Sequence, residues 1–128
     1  MKLHYNISGV GEPIVFIHGA FVNAQIWKHQ EAYFSDFYQV ITVDLRGHGK
    51  SDTSDLSEYH VSTFGEDILH LLDELGVQKA IICGLSLGAM VAQYLGANYP
   101  YRVSGLLLVG ATASLRLSLL ERVVTSIF

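Results

Sequence analysis

The sequence predicts an α/β fold built on a doubly wound, mostly parallel sheet. Three observations lead there. Four short apolar runs, at residues 14–17, 40–43, 80–83 and 106–109, have the length and continuity of strands buried on both faces. Stretches of helical periodicity stand between them, the spacing of strands joined by crossover helices. Finally, His18-Gly19, Asp44 and Ser86 each stand at or just beyond the carboxyl end of a run, the edge where such sheets carry their ligands.

The elements follow in order. Residues 3–7 alternate well enough for a short strand, closed by the turn signal Gly9-Val10-Gly11-Glu12-Pro13. The run 14–17 then leads into His18-Gly19-Ala20-Phe21. Residues 24–34 suit a helix carrying Ile26, Trp27 and Tyr33, and 40–43 a second buried strand. A polar loop is expected to about Tyr59. Thr63 and Glu66 have the spacing of a capping box, after which Phe64, Ile68, Leu71, Leu72 and Leu75 share one helical face and Gly76 ends the helix. The strand 80–83 enters Gly84-Leu85-Ser86-Leu87-Gly88, and a helix runs from Leu87 to about Asn98, with Pro100 beyond it. Residues 105–110 read as another buried strand. Leu115, Leu119, Val123 and Ile127 step by four along a last helix.

The richest stretch chemically is Gly84-x-Ser86-x-Gly88 between a strand and a helix. This is the layout of a nucleophile elbow, in which a sharp turn lifts the serine Oγ clear of the sheet. Glycines two residues either side are required where strand and helix cross too closely for a Cβ. A serine acting on an acyl group also needs backbone N–H donors aimed where negative charge develops. Leu87, directly after the serine, is one candidate. The other comes from the loop after residue 17, with Ala20 favoured over Phe21. Phe21 and Trp27 are candidates for an acyl pocket, with Trp27 more naturally read as packing between helix and sheet.

Three signatures stand in one register: His18-Gly19 with Trp27 downstream, Asp44-x-Arg46-Gly47-x-Gly49-x-Ser51, and Gly84-x-Ser86-x-Gly88. In these the chain resembles the α/β-hydrolase superfamily, in its esterase, lactonase and cofactor-free haloperoxidase branch. The resemblance implies the amino-terminal half of that family's sheet, one partial domain over residues 1–128, with about 113–128 opening a cap. It implies hydrolysis of an ester or related acyl substrate by Ser86, with Ala20 and Leu87 as oxyanion donors, Phe21 against substrate, and no cofactor. A carbon–carbon bond hydrolase or perhydrolase uses the same elbow, whereas the epoxide hydrolase and dehalogenase branch places aspartate where Ser86 stands. The family's acid and histidine follow two further strands, so the chain is expected to hold a nucleophile without its base and to be very weak alone. A non-catalytic remnant, or a fragment acting with a complementing chain, is the competing reading. His18 and His48 are expected to be structural. Asp44 and Arg46 are expected to fix their turn by hydrogen bonds to backbone amides.

Composition narrows the rest. Net charge is −4, and no Lys/Arg cluster suggests nucleic acid. Mean hydropathy is +0.33, yet no run approaches a membrane span, and the N-terminus has no signal-peptide pattern, so a cytoplasmic protein is the default expectation. Cys83 is the only cysteine and sits in a strand pattern, as packing. No His-Glu-x-x-His spacing suggests a metal, and no glycine-rich phosphate loop is present. The apolar strand carrying Leu106, Leu107, Leu108 and Val109 has no charge or proline to guard an edge, so pairing there with a second copy or a complementing fragment is expected.

Overall fold

A computed structural model describes residues 1–110. Five strands, β1 (Tyr5–Ser8), β2 (Pro13–Ile17), β3 (Gln39–Val43), β4 (Ala80–Leu85) and β5 (Val103–Val109), form one sheet in the order β1-β3-β2-β4-β5. β1 pairs antiparallel with β3, and the other three pairings are parallel. The helices are α1 (Lys28–Phe34), α2 (Val61–Glu74) and α3 (Leu87–Asn98), with single 3-10 turns at Ala24–Trp27, Leu56–Glu58 and Pro100–Arg102.

The central strands are apolar throughout because both of their faces are covered. On one face Val15, Ile17, Ile41, Val43 and Ile82 meet Phe64, Ile68 and Leu72 of α2 and Leu87, Val91 and Leu95 of α3. On the other, Ile14, Phe16, Val40 and Cys83 pack with Trp27, whose ring lies 4.9 Å from that of Phe16. Trp27 and Cys83 are thus packing residues, as expected from the sequence.

Strand order explains where a site can form. From β2 the chain turns to β3 on one side, and β4 then adds to the other side of β2 and leads to β5. The loop after β2 and the loop after β4 therefore part in opposite directions, and a crevice opens at the carboxyl ends of this neighbouring pair.

Three expectations need correction. α2 begins at Val61, two residues before Thr63, because His60 is the extended residue and its carbonyl accepts from the Phe64 amide at 3.0 Å. The Thr63–Glu66 capping box therefore does not form. Glu66 lies inside the helix and instead receives the hydroxyls of Tyr94 (2.8 Å) and Tyr99 (2.6 Å). The segment 24–34 is a 3-10 turn followed by an α-helix, not one helix. β5 is not buried: Leu106, Leu107, Leu108 and Val109 are 39–50% exposed, since β5 pairs only with β4 among the described residues. The expected cap opening at about 113–128 lies outside the described residues.

Candidate functional site

Ser86 stands between the last residue of β4 and the first of α3, with φ 53° and ψ −109°. This is backbone that a residue with a Cβ adopts only under constraint. Main-chain packing supplies the constraint. A Cβ on Gly84 would come within 2.6 Å of the Ala89 nitrogen, and one on Gly88 would strike the carbonyl of Ile17 and come 2.7 Å from that of His18. The Ser86 amide donates to the Val109 carbonyl at 2.9 Å, and the Ser86 carbonyl accepts from Ala89 (2.9 Å) and Met90 (3.1 Å). Strand, turn and helix are thereby locked together while the serine itself remains exposed.

Leu87 is the first residue of α3, so its N–H has no acceptor within the helix and lies at the positive end of the helix dipole. Its side chain is buried, whereas that of Leu85 is only half-buried. The loop after β2 comes up beside the elbow. A side chain on Gly19 would lie 3.4 Å from the Leu85 carbonyl and 3.6 Å from the Ser86 Cβ. Ala20 follows, half-buried, and then Phe21, 64% exposed and with a φ of 65°. The two loops named from sequence are therefore neighbours at one sheet edge.

The histidines fall away from this edge's chemistry. His18 is wholly buried, its Nδ1–H donates to the Gly19 carbonyl at 2.7 Å, and its Nε2 accepts from the Leu45 amide at 2.9 Å. Burial lowers its pKa to about 4, with the neighbouring His48 ring acting in the same direction. With both nitrogens committed, it cannot take a proton from Ser86. His48 donates from Nδ1 to the Arg46 carbonyl at 2.9 Å, and its ring lies 5.0 Å from that of His18, tilted by 52°. His29, His60 and His70 lie on the surface, and His4 meets Asp44 at 3.2 Å.

Asp44 fixes its turn as expected. One oxygen accepts from the Ala24 amide at 2.8 Å, the other from Lys50 at 3.0 Å. Burial opposes its ionisation, but the Lys50 and Ala24 amides, helped by His4 and His18, hold its carboxyl below the usual carboxylate range. A Cβ on Gly49, at φ 52°, would collide with this carboxylate. Arg46 departs from expectation, since a guanidinium has only donors. It makes a two-pronged bond to Asp67 in α2, at 2.8 and 2.7 Å, and further bonds to Ser54 and Glu58 at 3.1 Å. Asp67 was not singled out by sequence reasoning, and a lone acid on the apolar face of an amphipathic helix was the available signal.

Two openings flank these loops. The larger, about 480 Å³, lies between β1 and α1 and is lined by polar residues such as Asn6, Lys28 and Glu31, away from Ser86. The smaller, about 390 Å³, is lined by Phe21, Val22 and Leu56 together with the Gly47-His48-Gly49 turn. Val22 and Leu56 were also missed from sequence, although Leu56 is an isolated apolar residue in an otherwise polar loop. Among the described residues no group of His, Cys, Asp and Glu could hold a metal ion, and no helix is long and apolar enough to cross a membrane.

Comparison with known proteins places this geometry. The model of the alpha/beta hydrolase fold family matches residues 12–124. The 3-oxoadipate enol-lactonase 2 of Acinetobacter baylyi is 34% identical over 102 residues, which make up 80% of this chain and 38% of that protein. A solved N-acyl homoserine lactone degrading enzyme superposes with a TM-score of 0.80 at 38% identity, covering 84% of this chain and 41% of its own. An epoxide hydrolase of Vigna radiata superposes with a TM-score of 0.85 at 27% identity, covering 90% and 37%. The chain thus spans about two-fifths of the length of the relatives it matches.

Proposed function

The chain belongs to the alpha/beta hydrolase family, and from that premise we propose that it carries the nucleophile half of a serine hydrolase for esters or related acyl substrates. The Ser86 Oγ would bond to the substrate carbonyl carbon, and the oxyanion so formed would be held by the N–H groups of Leu87 and Ala20. Its collapse would break the carbon–oxygen bond to the alcohol, leaving an acyl-serine for water to release. The observation that carries this reading is the exposed Ser86 held at φ 53° between β4 and α3. Its serine also separates it from the epoxide hydrolases it superposes on, if opening an epoxide there requires a carboxylate nucleophile.

A hydroxyl is a poor nucleophile until a base removes its proton. His18 is spent on its own loop, so the base and the acid that orients it would come from a longer protein or a complementing chain. The exposed strand bearing Leu106, Leu107, Leu108 and Val109 favours that second reading, as the place where such a chain would add.

Turnover of a short p-nitrophenyl ester tests the proposal. The 128-residue chain should be very slow. An oxyanion hole and binding alone can leave about 10³–10⁴-fold over water in a serine hydrolase. That residue of activity should be reduced by Ser86→Ala. A normal enzymatic rate abolished by Ser86→Ala would show that a base exists within this chain, and a rate indifferent to Ser86→Ala would remove the serine from the mechanism.

A further inference from the structure

Between β1 and α1 the face of the sheet changes character. On β3, Val40 belongs to the apolar cluster around Trp27, but the next residue on that face is Thr42. Asn6 stands opposite Thr42 across the antiparallel pair, and Ser8 shares its face. From α1 come Lys28, Glu31 and Ser35, and these walls border the cavity of about 480 Å³. Two groups there have hydrogen-bonding capacity to spare. Thr42 is 2% exposed and lines the cavity, and its hydroxyl has no hydrogen-bond partner among the described residues. Glu31 is anchored through one oxygen, Oε1, which accepts from Asn6 Nδ2 at 3.0 Å and from Ser8 Oγ at 2.7 Å. Its Oε2 makes no hydrogen bond among the described residues. Asp44, on the same wall, is spent on the Ala24 and Lys50 amides and on His4.

We propose that this cavity binds a small neutral polyol, a monosaccharide or sugar alcohol, at a site separate from Ser86. A hydroxyl donates one hydrogen bond and accepts others. One hydroxyl of such a ligand would donate to Glu31 Oε2, and a neighbouring one would exchange a hydrogen bond with the Thr42 hydroxyl. Further hydroxyls would accept from the ammonium groups of Lys28 and Lys50, which also line the cavity. Both signs of charge are present, so a simple anion would meet the Glu31 carboxylate and a simple cation the two ammonium groups. An apolar ligand would desolvate Thr42 and Glu31 without replacing their hydrogen bonds. The volume is in the range of small-molecule sites. The site does not depend on the reading of Ser86.

The experiment is saturation-transfer NMR on the full 128-residue chain, with D-glucose, D-xylose and myo-inositol as probes. At least one should give saturable transfer with a millimolar Kd. Thr42→Val keeps the shape of the side chain and removes the hydroxyl, and it should weaken binding about tenfold. Glu31→Gln replaces the free oxygen by a donor and should weaken it about as much. Asn6→Ala, a gentler change at an exposed position, removes one anchor of Glu31 and should act in the same direction. Variants are compared at unchanged circular dichroism, and where one of them loses its fold the other two decide. Ser86→Ala should bind as the parent does. No saturable transfer from any of the three probes, or binding indifferent to the variants, would overturn the proposal. So would displacement of the bound probe by equimolar inorganic phosphate or ethylenediamine. Loss of binding in Ser86→Ala would place the probe at the serine and overturn it too.

Discussion

His18 shows how a residue suited to catalysis is retired into structure. A histidine whose pKa is depressed in the folded state binds its proton more readily when unfolded. The stability it contributes is therefore complete above the unfolded value near 6.5 and is lost as pH falls towards the folded value of about 4. The shift corresponds to about 3 kcal/mol. Asp44, whose pKa is also lowered, adds a loss at still lower pH as its carboxylate is protonated. Urea midpoints should fall steadily from pH 7 to pH 4. In His18→Gln, where the side-chain oxygen can still accept from Leu45, the upper part of that fall should vanish. The same variant should not match Ser86→Ala in loss of turnover, and an equal loss in a folded protein would make His18 part of the chemistry. At this scale the strand–turn–helix layout around Ser86 was legible in sequence. Gly84 and Gly88 encode a crossing of strand and helix too close for a side chain, and the structure shows the contacts that forbid a Cβ at both. Arg46 was misread because its partner, Asp67, lies 21 residues away and no local pattern links them.

Elements were legible wherever one residue pattern served one purpose. The buried runs of β2, β3 and β4 and the full extent of α3 follow from hydrophobic continuity and from Pro100. The start of α2 did not, because Thr63 and Glu66 imitate a cap while Glu66 serves as acceptor for two tyrosines of the neighbouring segment. What anchors α2 over the Asp44 turn is the Arg46–Asp67 pair, whose side chains are 12% and 5% exposed. Removing Asp67 takes both prongs from an enclosed guanidinium and leaves it only Ser54 and the exposed Glu58, a loss on the order of 2–3 kcal/mol. Asp67→Ala should therefore lower the urea midpoint and open amide exchange at the amino-terminal end of α2 before β2 and β4. A midpoint within error of the parent would mean that apolar packing by Phe64 and Ile68 suffices to hold the helix.

Viewed whole, the described molecule has one well-covered side and one unfinished edge. Leu107 and Val109 lie in register with Cys83 and Leu85, continuing the apolar face that α1 covers only at its other end. Leu106 and Leu108 point to the opposite face, where Leu106 meets Gly96 of α3. An apolar edge strand with unpaired backbone groups is a template for another strand. Sedimentation at micromolar concentration should show dimers or larger species, and Leu107→Lys should shift the distribution towards monomer. A stable monomer with protected amides through residues 106–109 would show that the edge is already satisfied. Sequence reasoning located this strand, its open edge and its lack of guards, and erred only in reading its side chains as buried, because a run of four apolar residues looks the same whether or not its faces are covered.

The position of β2 has a consequence for how the molecule is made. The second of the described strands in chain order is the middle of the described sheet, and it pairs on both sides with strands synthesised later. Its first partner, β3, starts 22 residues after β2 ends, and its second, β4, starts 63 residues after. A nascent chain therefore carries Ile14, Val15, Phe16 and Ile17 with one flank bare throughout the synthesis of α2. The loop that ends β2 is also in place before the serine it will face has been translated.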